Sequence, residues 1–212
     1  MTACLPFLNP LFRGAPLVVE PYHRPVVRFV RLHSVDPEWY ASDNGFSSRA
    51  AMDIAHLPIV QAVGRLLRAG AGNVLDIGCG NGALLKRIIE HRPGAVPFGI
   101  DRGATAIAHA RVNIPEFAAN LSIGEIFETP APIWAAKRQY DVVIVMPGRL
   151  LEVDRETADC LIATIKATCS SVVLYAYGDW ITRYGDLPRL ANAAGCSLVR
   201  YQTLATSAVG IQ

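Results

Sequence analysis

The sequence predicts an α/β fold built on a largely parallel sheet with helices on both faces, and three observations predict it. From residue 74 onward, short apolar runs rich in β-branched residues alternate with amphipathic stretches of helical spacing, the pattern of strands joined by crossover helices. The first run, VLDI at 74–77, enters a helical pattern through a turn holding three glycines. The chain is also long enough for one domain with a full core, with 212 residues of which 51% are hydrophobic and 18% charged, and this excludes disorder as a description of the whole.

Residues 1–46 carry prolines at 6, 10, 16, 21, 25 and 37, interleaved with two β-branched runs, LVVE (17–20) and VVRFVRLHS (26–34). Pro16 and Pro25 open these runs. The segment reads as an irregular N-terminal extension with one or two short strands and no core of its own. Its Val-rich stretch suits a lid, an added edge strand or a dimer contact. From Ser47 the spacing becomes helical, with Met52, Ala55, Ile59, Val63, Leu66 and Leu67 on one face and Pro58 placed to split or kink the helix.

After the glycine-rich AGAGN (69–73), strands are expected at 74–77, 96–100, 121–124, 141–146, 171–177, 197–204 and 207–211. Helices are expected near 81–91, 103–112, 154–168 and 186–194, the third of them capped by Asp154. The last two strands are close enough to pair as an antiparallel hairpin. The division that follows is an extension over 1–46 and one domain over 47–212.

Twenty Lys and Arg oppose 18 Asp and Glu for a formal charge of +2, and the basic residues are dispersed. A dedicated nucleic-acid binder usually shows a stronger electrostatic footprint. The five cysteines at 4, 79, 160, 169 and 196 form no CxxC pair, which argues against a disulfide framework and a thiolate metal site, and no metal is expected. No run approaches the ~20 apolar residues that span a bilayer. The simplest location is the cytoplasm, without a membrane partner.

The most informative stretch is VLDIGCGNGALLKRI at 74–88. Glycines at 78, 80 and 82 allow a sharp turn and a close backbone approach to a ligand, and a helix start supplies N–H donors suited to a carboxylate or phosphate. GCGNGA satisfies the dinucleotide pattern GxGxxG/A as literally as it satisfies GxGxG, so spacing alone does not decide. Asp76, two residues ahead of Gly78, tilts the choice: an acid there repels a pyrophosphate and serves a ligand that bears an ammonium as well as a carboxylate.

At this point the sequence resembles the class I S-adenosylmethionine-dependent methyltransferases, whose first motif, DxGxGxG, is matched by Asp76, Gly78, Gly80 and Gly82. FGIDRG ends the second strand with Asp101, which the resemblance assigns to the two ribose hydroxyls, followed by Arg102. IGEIFE (123–128) resembles the third-strand motif with Glu125 in place of the commoner Asp, implying adenine-edge contacts from Glu125 and the Ile126 backbone. YDVVIVMPGRLLEV (140–153) resembles the fourth-strand motif and brings Met146 to the cofactor, and LPRLANAAGCSLV resembles the late helix, turn and sixth strand. Together these imply a Rossmann-like seven-stranded sheet of order 3-2-1-4-5-7-6 with the last strand antiparallel. The implied cofactor is S-adenosylmethionine, released as S-adenosylhomocysteine, and Cys79 is read as a small residue the loop needs rather than a nucleophile.

Methyl transfer from a sulfonium asks the protein mainly to align an acceptor, so a dedicated base is optional. Some methyltransferases of nucleic-acid and protein amino groups carry Asn or Asp followed by Pro-Pro-Tyr after strand four, whereas this chain has Met146, Pro147, Gly148 and Arg149. The departure favours a small-molecule acceptor. Catalytic candidates are His56, Tyr40 and Arg149, with Asp43, Tyr177, Asp179 and Trp180 as further substrate contacts. Each also has a plain structural reading, as when His56 on an apolar helix face is simply a core histidine. The alternatives are a methyltransferase acting on RNA or protein, and a cofactor-binding partner subunit without activity of its own; a nicotinamide dehydrogenase is the reading Asp76 disfavours.

Overall fold

The computed structural model describes residues 16–22, 46, 49–67, 71–127, 139–146, 153–177 and 197–201. Its elements are β1 (Pro16–Tyr22), α1 (Arg49–Leu66), β2 (Ala71–Ile77), α2 (Ala83–His91), β3 (Gly94–Asp101) and α3 (Ala104–Asn113). A short 3₁₀ turn (Pro115–Asn120) leads to β4 (Leu121–Ile123), followed by β5 (Tyr140–Val145), α4 (Arg155–Thr168), β6 (Cys169–Tyr177) and β7 (Ser197–Tyr201).

The central strands are apolar without alternation because both of their faces are covered. Along β2, Val74 packs with Ile59, Val63, Leu85, Ile88 and Ile107, from α1, α2 and α3. Leu75 and Ile77 join the opposite layer, with Leu161 and Ile165 of α4. Neighbouring strands follow the same division: Val142 and Ile144 of β5 face the first layer, and Val143 and Val145 the second. Sequence periodicity predicts α4 well, and Asp154 caps it, its Oδ1 accepting from the Thr157 N–H at 2.9 Å and its Oδ2 from the Thr157 hydroxyl at 2.8 Å. Pro58 lies inside α1, which runs as one helix rather than two.

The strand order is β4-β3-β2-β5-β6-β1-β7. The direction reverses beside β2: the chain adds β3 and β4 on one side and then crosses to β5 and β6 on the other. This is the switch point at which open α/β sheets form a crevice beyond their carboxyl ends.

Two expectations about the sheet need correction. An antiparallel last strand does not appear, since every pairing among the described strands is parallel. The slot next to β6 is taken instead by β1 from the N-terminal segment, with Leu17 opposite Val172 on one side and Leu198 on the other. β1 is therefore an interior strand rather than an edge, and an interior slot suits a run as apolar as LVV. The expected strand at 207–211 and the helix near 186–194 lie outside the described residues. Among the described cysteines, Cys79 and Cys169 are buried thiols outside any disulfide, whereas Cys160 is disulfide-bonded.

Among the described residues no helix is long and apolar enough to cross a membrane.

Candidate functional site

The glycine loop leaves β2 at Gly78 and folds back on the end of β3. The N–H groups of Gly78 and Cys79 both donate to the Ile100 carbonyl, at 2.8 and 3.0 Å, and the Gly80 N–H donates to Asp101 Oδ2 at 2.9 Å. The Gly82 N–H donates to the Cys79 carbonyl at 3.0 Å and the Ala83 N–H to Asn81 Oδ1 at 3.1 Å. Gly78, Gly80 and Gly82 have φ of 84°, 53° and 75°, the left-handed region where a side chain is strained. Three closely spaced left-handed residues turn a strand into a helix within five residues. Cys79 fills the space over β3, where a Cβ added to Gly99 would lie 2.7 Å from its sulfur. Burial pushes the Cys79 thiol upward, and the nearby Asp76 and Asp101 add to that, so it is a filler and no nucleophile.

These bonds revise what the loop offers a ligand. A phosphate cradle needs free N–H groups, and five from this loop and the first residue of α2 are already spent inside the protein. What remains on offer is acidic.

Asp76, on β2 beneath the loop, is 1% exposed, and its Oδ1 has no hydrogen-bond partner among the described residues. Burial, with the charge of Asp101 second, pushes its carboxyl up to about 7. Asp101 ends β3 half-buried, with Oδ1 accepting from the Gly103 N–H at 2.8 Å and Oδ2 from the Gly80 N–H. Its own carbonyl accepts from the Gly124 N–H at 3.0 Å, so Asp101 ties together the ends of β2, β3 and β4. One strand further along, Glu125 Oε1 accepts from the Ile126 N–H at 2.9 Å. The Ile126 side chain is buried, Arg102 is exposed, and Met146 follows β5 half-buried against the α1–α2 layer. Asp76, Asp101, Glu125 and Met146 thus stand at the carboxyl ends of four adjacent parallel strands.

His56 lies on the buried face of α1, its ring edge-on to Phe46 at 5.5 Å between centroids. Burial first, and the Arg87 guanidinium second, lower its pKa to about 3 against a smaller opposing effect of Asp53. The imidazole is therefore neutral, and a weak base in this environment. Tyr40, Asp43, Arg149, Asp179 and Trp180 lie outside the described residues, as does the side chain of Tyr177.

Four residues of this region carry no motif. Arg87 pairs with Asp53 across α2 and α1 and donates to the Ala83 carbonyl at 3.0 Å, while Asn113 of α3 donates to the Asn81 carbonyl at 2.9 Å. The two contacts brace the start of α2 from either side. Asn81 is legible in retrospect, because an Asn side chain bonds its own backbone two residues on. Asp53, Arg87 and Asn113 gave no local signal, since their partners are 34, 34 and 32 residues away.

Above Gly78 there is open space, where an added Cβ would meet nothing within 4 Å. Two acids at the ends of the strands that flank the loop, with five of the N–H groups there engaged, fit a ligand that carries a cation and a vicinal diol better than a pyrophosphate. The sequence over the same elements, residues 69–173, matches the family described as methyltransferase domain. Residues 69–173 therefore carry a methyltransferase domain, in line with the resemblance of the sequence motifs to the class I S-adenosylmethionine-dependent enzymes. S-adenosylmethionine is the cofactor that a methyltransferase domain implies, and the acids fit its ammonium and ribose. No curated protein matches the sequence.

Among solved structures, a candidate O-methyltransferase from Nostoc punctiforme PCC 73102 is 25% identical over 62% of this chain and 37% of its own, with a TM-score of 0.45. The amino pentose methyltransferase CalS10 of Micromonospora echinaspora is 19% identical over 55% of this chain and 45% of its own, with a TM-score of 0.44. The sugar N-methyltransferase KedS8 of Streptoalloteichus is 19% identical over 71% of this chain and 57% of its own, with a TM-score of 0.45. The chain thus covers less than two thirds of the length of each.

Proposed function

We propose that this methyltransferase transfers the methyl group of S-adenosylmethionine to a small-molecule acceptor. The observation that carries the reading is the pair of acids at the ends of β2 and β3, Asp76 and Asp101, flanking a loop whose N–H groups are already engaged. In this reading Asp101 accepts from the ribose hydroxyls, Asp76 faces the ammonium, and Glu125 with the Ile126 backbone meets the adenine edge. Gly78, Gly80, Gly82 and Cys79 shape the loop, and Arg102 and Met146 flank the adenosine. The bound sulfonium supplies the electrophilic methyl carbon. The protein's share is to hold the acceptor in line with it and to keep water out.

Since β1 belongs to the sheet, the acceptor side is assigned to the rest of the N-terminal segment and α1, acting as a lid. Phe46, just ahead of α1, packs on Met52 and Ala83, and Ala83 is the first residue of the helix that leaves the glycine loop. This supports an N-terminal segment that reaches the cofactor loop. Tyr40 and Arg149 are the candidates for touching the acceptor, and a neutral His56 beneath Phe46 serves to hold the lid unless docking exposes it. The sequence Met146-Pro147-Gly148-Arg149 and the dispersed basic residues support a small acceptor over RNA or protein.

The test is calorimetric titration with S-adenosylmethionine, S-adenosylhomocysteine and NADH, followed by mass-spectrometric methyl-transfer assays on small alcohols and amines, RNA and protein. Binding of the adenosyl ligands alone, with methylation of a small molecule, is the expected result. Binding of NADH alone overturns the cofactor assignment. Methylation confined to RNA or protein overturns the acceptor class, and binding without turnover on any acceptor points to a partner subunit.

A further inference from the structure

We propose that Asp76 carries a proton while the cofactor site is empty and releases it to solvent when the ammonium of the cofactor docks, so that cofactor binding is coupled to proton release. The inference rests on the cofactor reading above and goes beyond it.

The geometry sets a problem that a proton solves. Asp76 is closed off from water and its Oδ1 has no partner among the described residues. An ionised carboxylate in such a place is costly, and the group keeps its proton unless a cation compensates it. Among the described residues the surroundings supply none. From β3 the facing charge is Asp101, of the same sign, and both of its oxygens already accept N–H groups. The loop contributes the Cys79 thiol, held protonated, and α3 contributes the uncharged Asn113. On this face β5 and β6 present Ile144, Val173 and the Tyr175 phenol. From α1 and α2, Asp53 and Arg87 are committed to each other, and His56 is neutral. Of the two acids, Asp76 is the one left to hold a proton.

An arriving ammonium changes the balance because it is the missing cation. Asp76 passes from COOH to COO⁻, the proton goes to buffer, and the ammonium keeps its own protons and faces the new charge. No other bond is made or broken. With the Asp76 pKa near 7 in the empty protein, release approaches one proton per site at about pH 6 and falls to about half at about pH 7. Affinity then rises about fivefold between those two conditions. Over this range the ligand's own amine, an amino-acid ammonium beside a free carboxylate and so more basic than a chain terminus at about 7.7–8.0, stays charged.

The experiment is calorimetry of the intact protein with S-adenosylhomocysteine, whose cation is the ammonium alone, at about pH 6 in two buffers of different ionisation enthalpy. Heats that differ by close to one proton's worth of buffer ionisation, together with the fivefold rise in affinity toward pH 7, are expected. Asp76→Asn should bind with no buffer dependence and a flat pH profile. Binding with equal heats in both buffers overturns the inference and leaves the cofactor reading intact, and this wild-type result decides the matter even if Asp76→Asn fails to fold. Proton release that persists in Asp76→Asn also overturns it, because the proton then comes from another group. No binding at either pH overturns the cofactor reading, and this inference with it.

Discussion

The ends of β2 and β3 make an instructive pair. Both finish on or near an aspartate, both lie at the same edge of the sheet, and residues 76 and 101 are chemically identical. Yet Asp101 is half-buried with a backbone N–H on each oxygen, whereas Asp76 is 1% exposed with one oxygen unpartnered. Asp101 already does structural work as a clip across three strand ends. As a carboxylate, the buried Asp76 is a cost that a proton or a cation relieves. On the reading proposed above, two like residues at one site divide the tasks of shaping the loop and of selecting its ligand by charge.

The comparison can be broken most decisively through stability. The Asp76 pKa is raised from 3.8 to about 7 on folding, so its stabilising proton is fully held below the unfolded value and lost as pH climbs through 7. Asp76→Asn removes this penalty, and in urea unfolding its stability should gain on the wild type by roughly 3–4 kcal/mol between about pH 4 and about pH 8. His56 has the opposite slope, its contribution being lost as pH falls from 6.5 toward 3, but it is present in both proteins and cancels in the difference. A gap that does not change with pH would mean that Asp76 is ionised in the native state.

Asp101→Ala tests the other member. Loss of the clip and of the ribose acceptor should weaken S-adenosylhomocysteine binding by about 100-fold, or about 2.7 kcal/mol. Unchanged affinity would remove Asp101 from the cofactor site.

The loop between the two acids sharpens the contrast further. Gly82→Ala combines a φ of +75° with a Cβ placed 3.2 Å from that of Ala110, and should cost about 1–3 kcal/mol of stability. Gly78→Ala, at φ +84° in open space, should cost less stability and more affinity, because its methyl group points where the ligand is expected. Equal effects of the two on both measurements would contradict the placement of the ligand over Gly78. The smallest effect belongs to a distant control: Asp154→Ala removes the α4 cap and should lower Tm by about 2–4 °C without altering cofactor affinity.

Much of this arrangement was legible in the chain because its signals are local. The strand and helix around VLDIGCGNGALLKRI, the cap at Asp154 and the acid after FGI each depend on residues within one turn or one strand of each other. The β1 placement was not legible in that way. LVVE reads as a strand, but its neighbours are 155 and 181 residues away, Val172 and Leu198 against Leu17, and pairing at that distance is chosen by which slot lies open between two other strands. The brace formed by Asp53, Arg87 and Asn113 was equally silent, since each pairs through a contact between different elements.

By itself, then, the sequence determined the alternation of strands and helices, the left-handed glycine turn and the placing of acids at successive strand ends. These follow from side-chain periodicity, backbone sterics and short-range hydrogen bonding, which act within a few residues. Only the tertiary structure decided which of the two acids is sealed from water, which loop donors are already consumed, and that an N-terminal strand lies between β6 and β7. Burial, partner saturation and strand neighbourhood belong to the packed whole, because each depends on what the remaining elements bring to the same place.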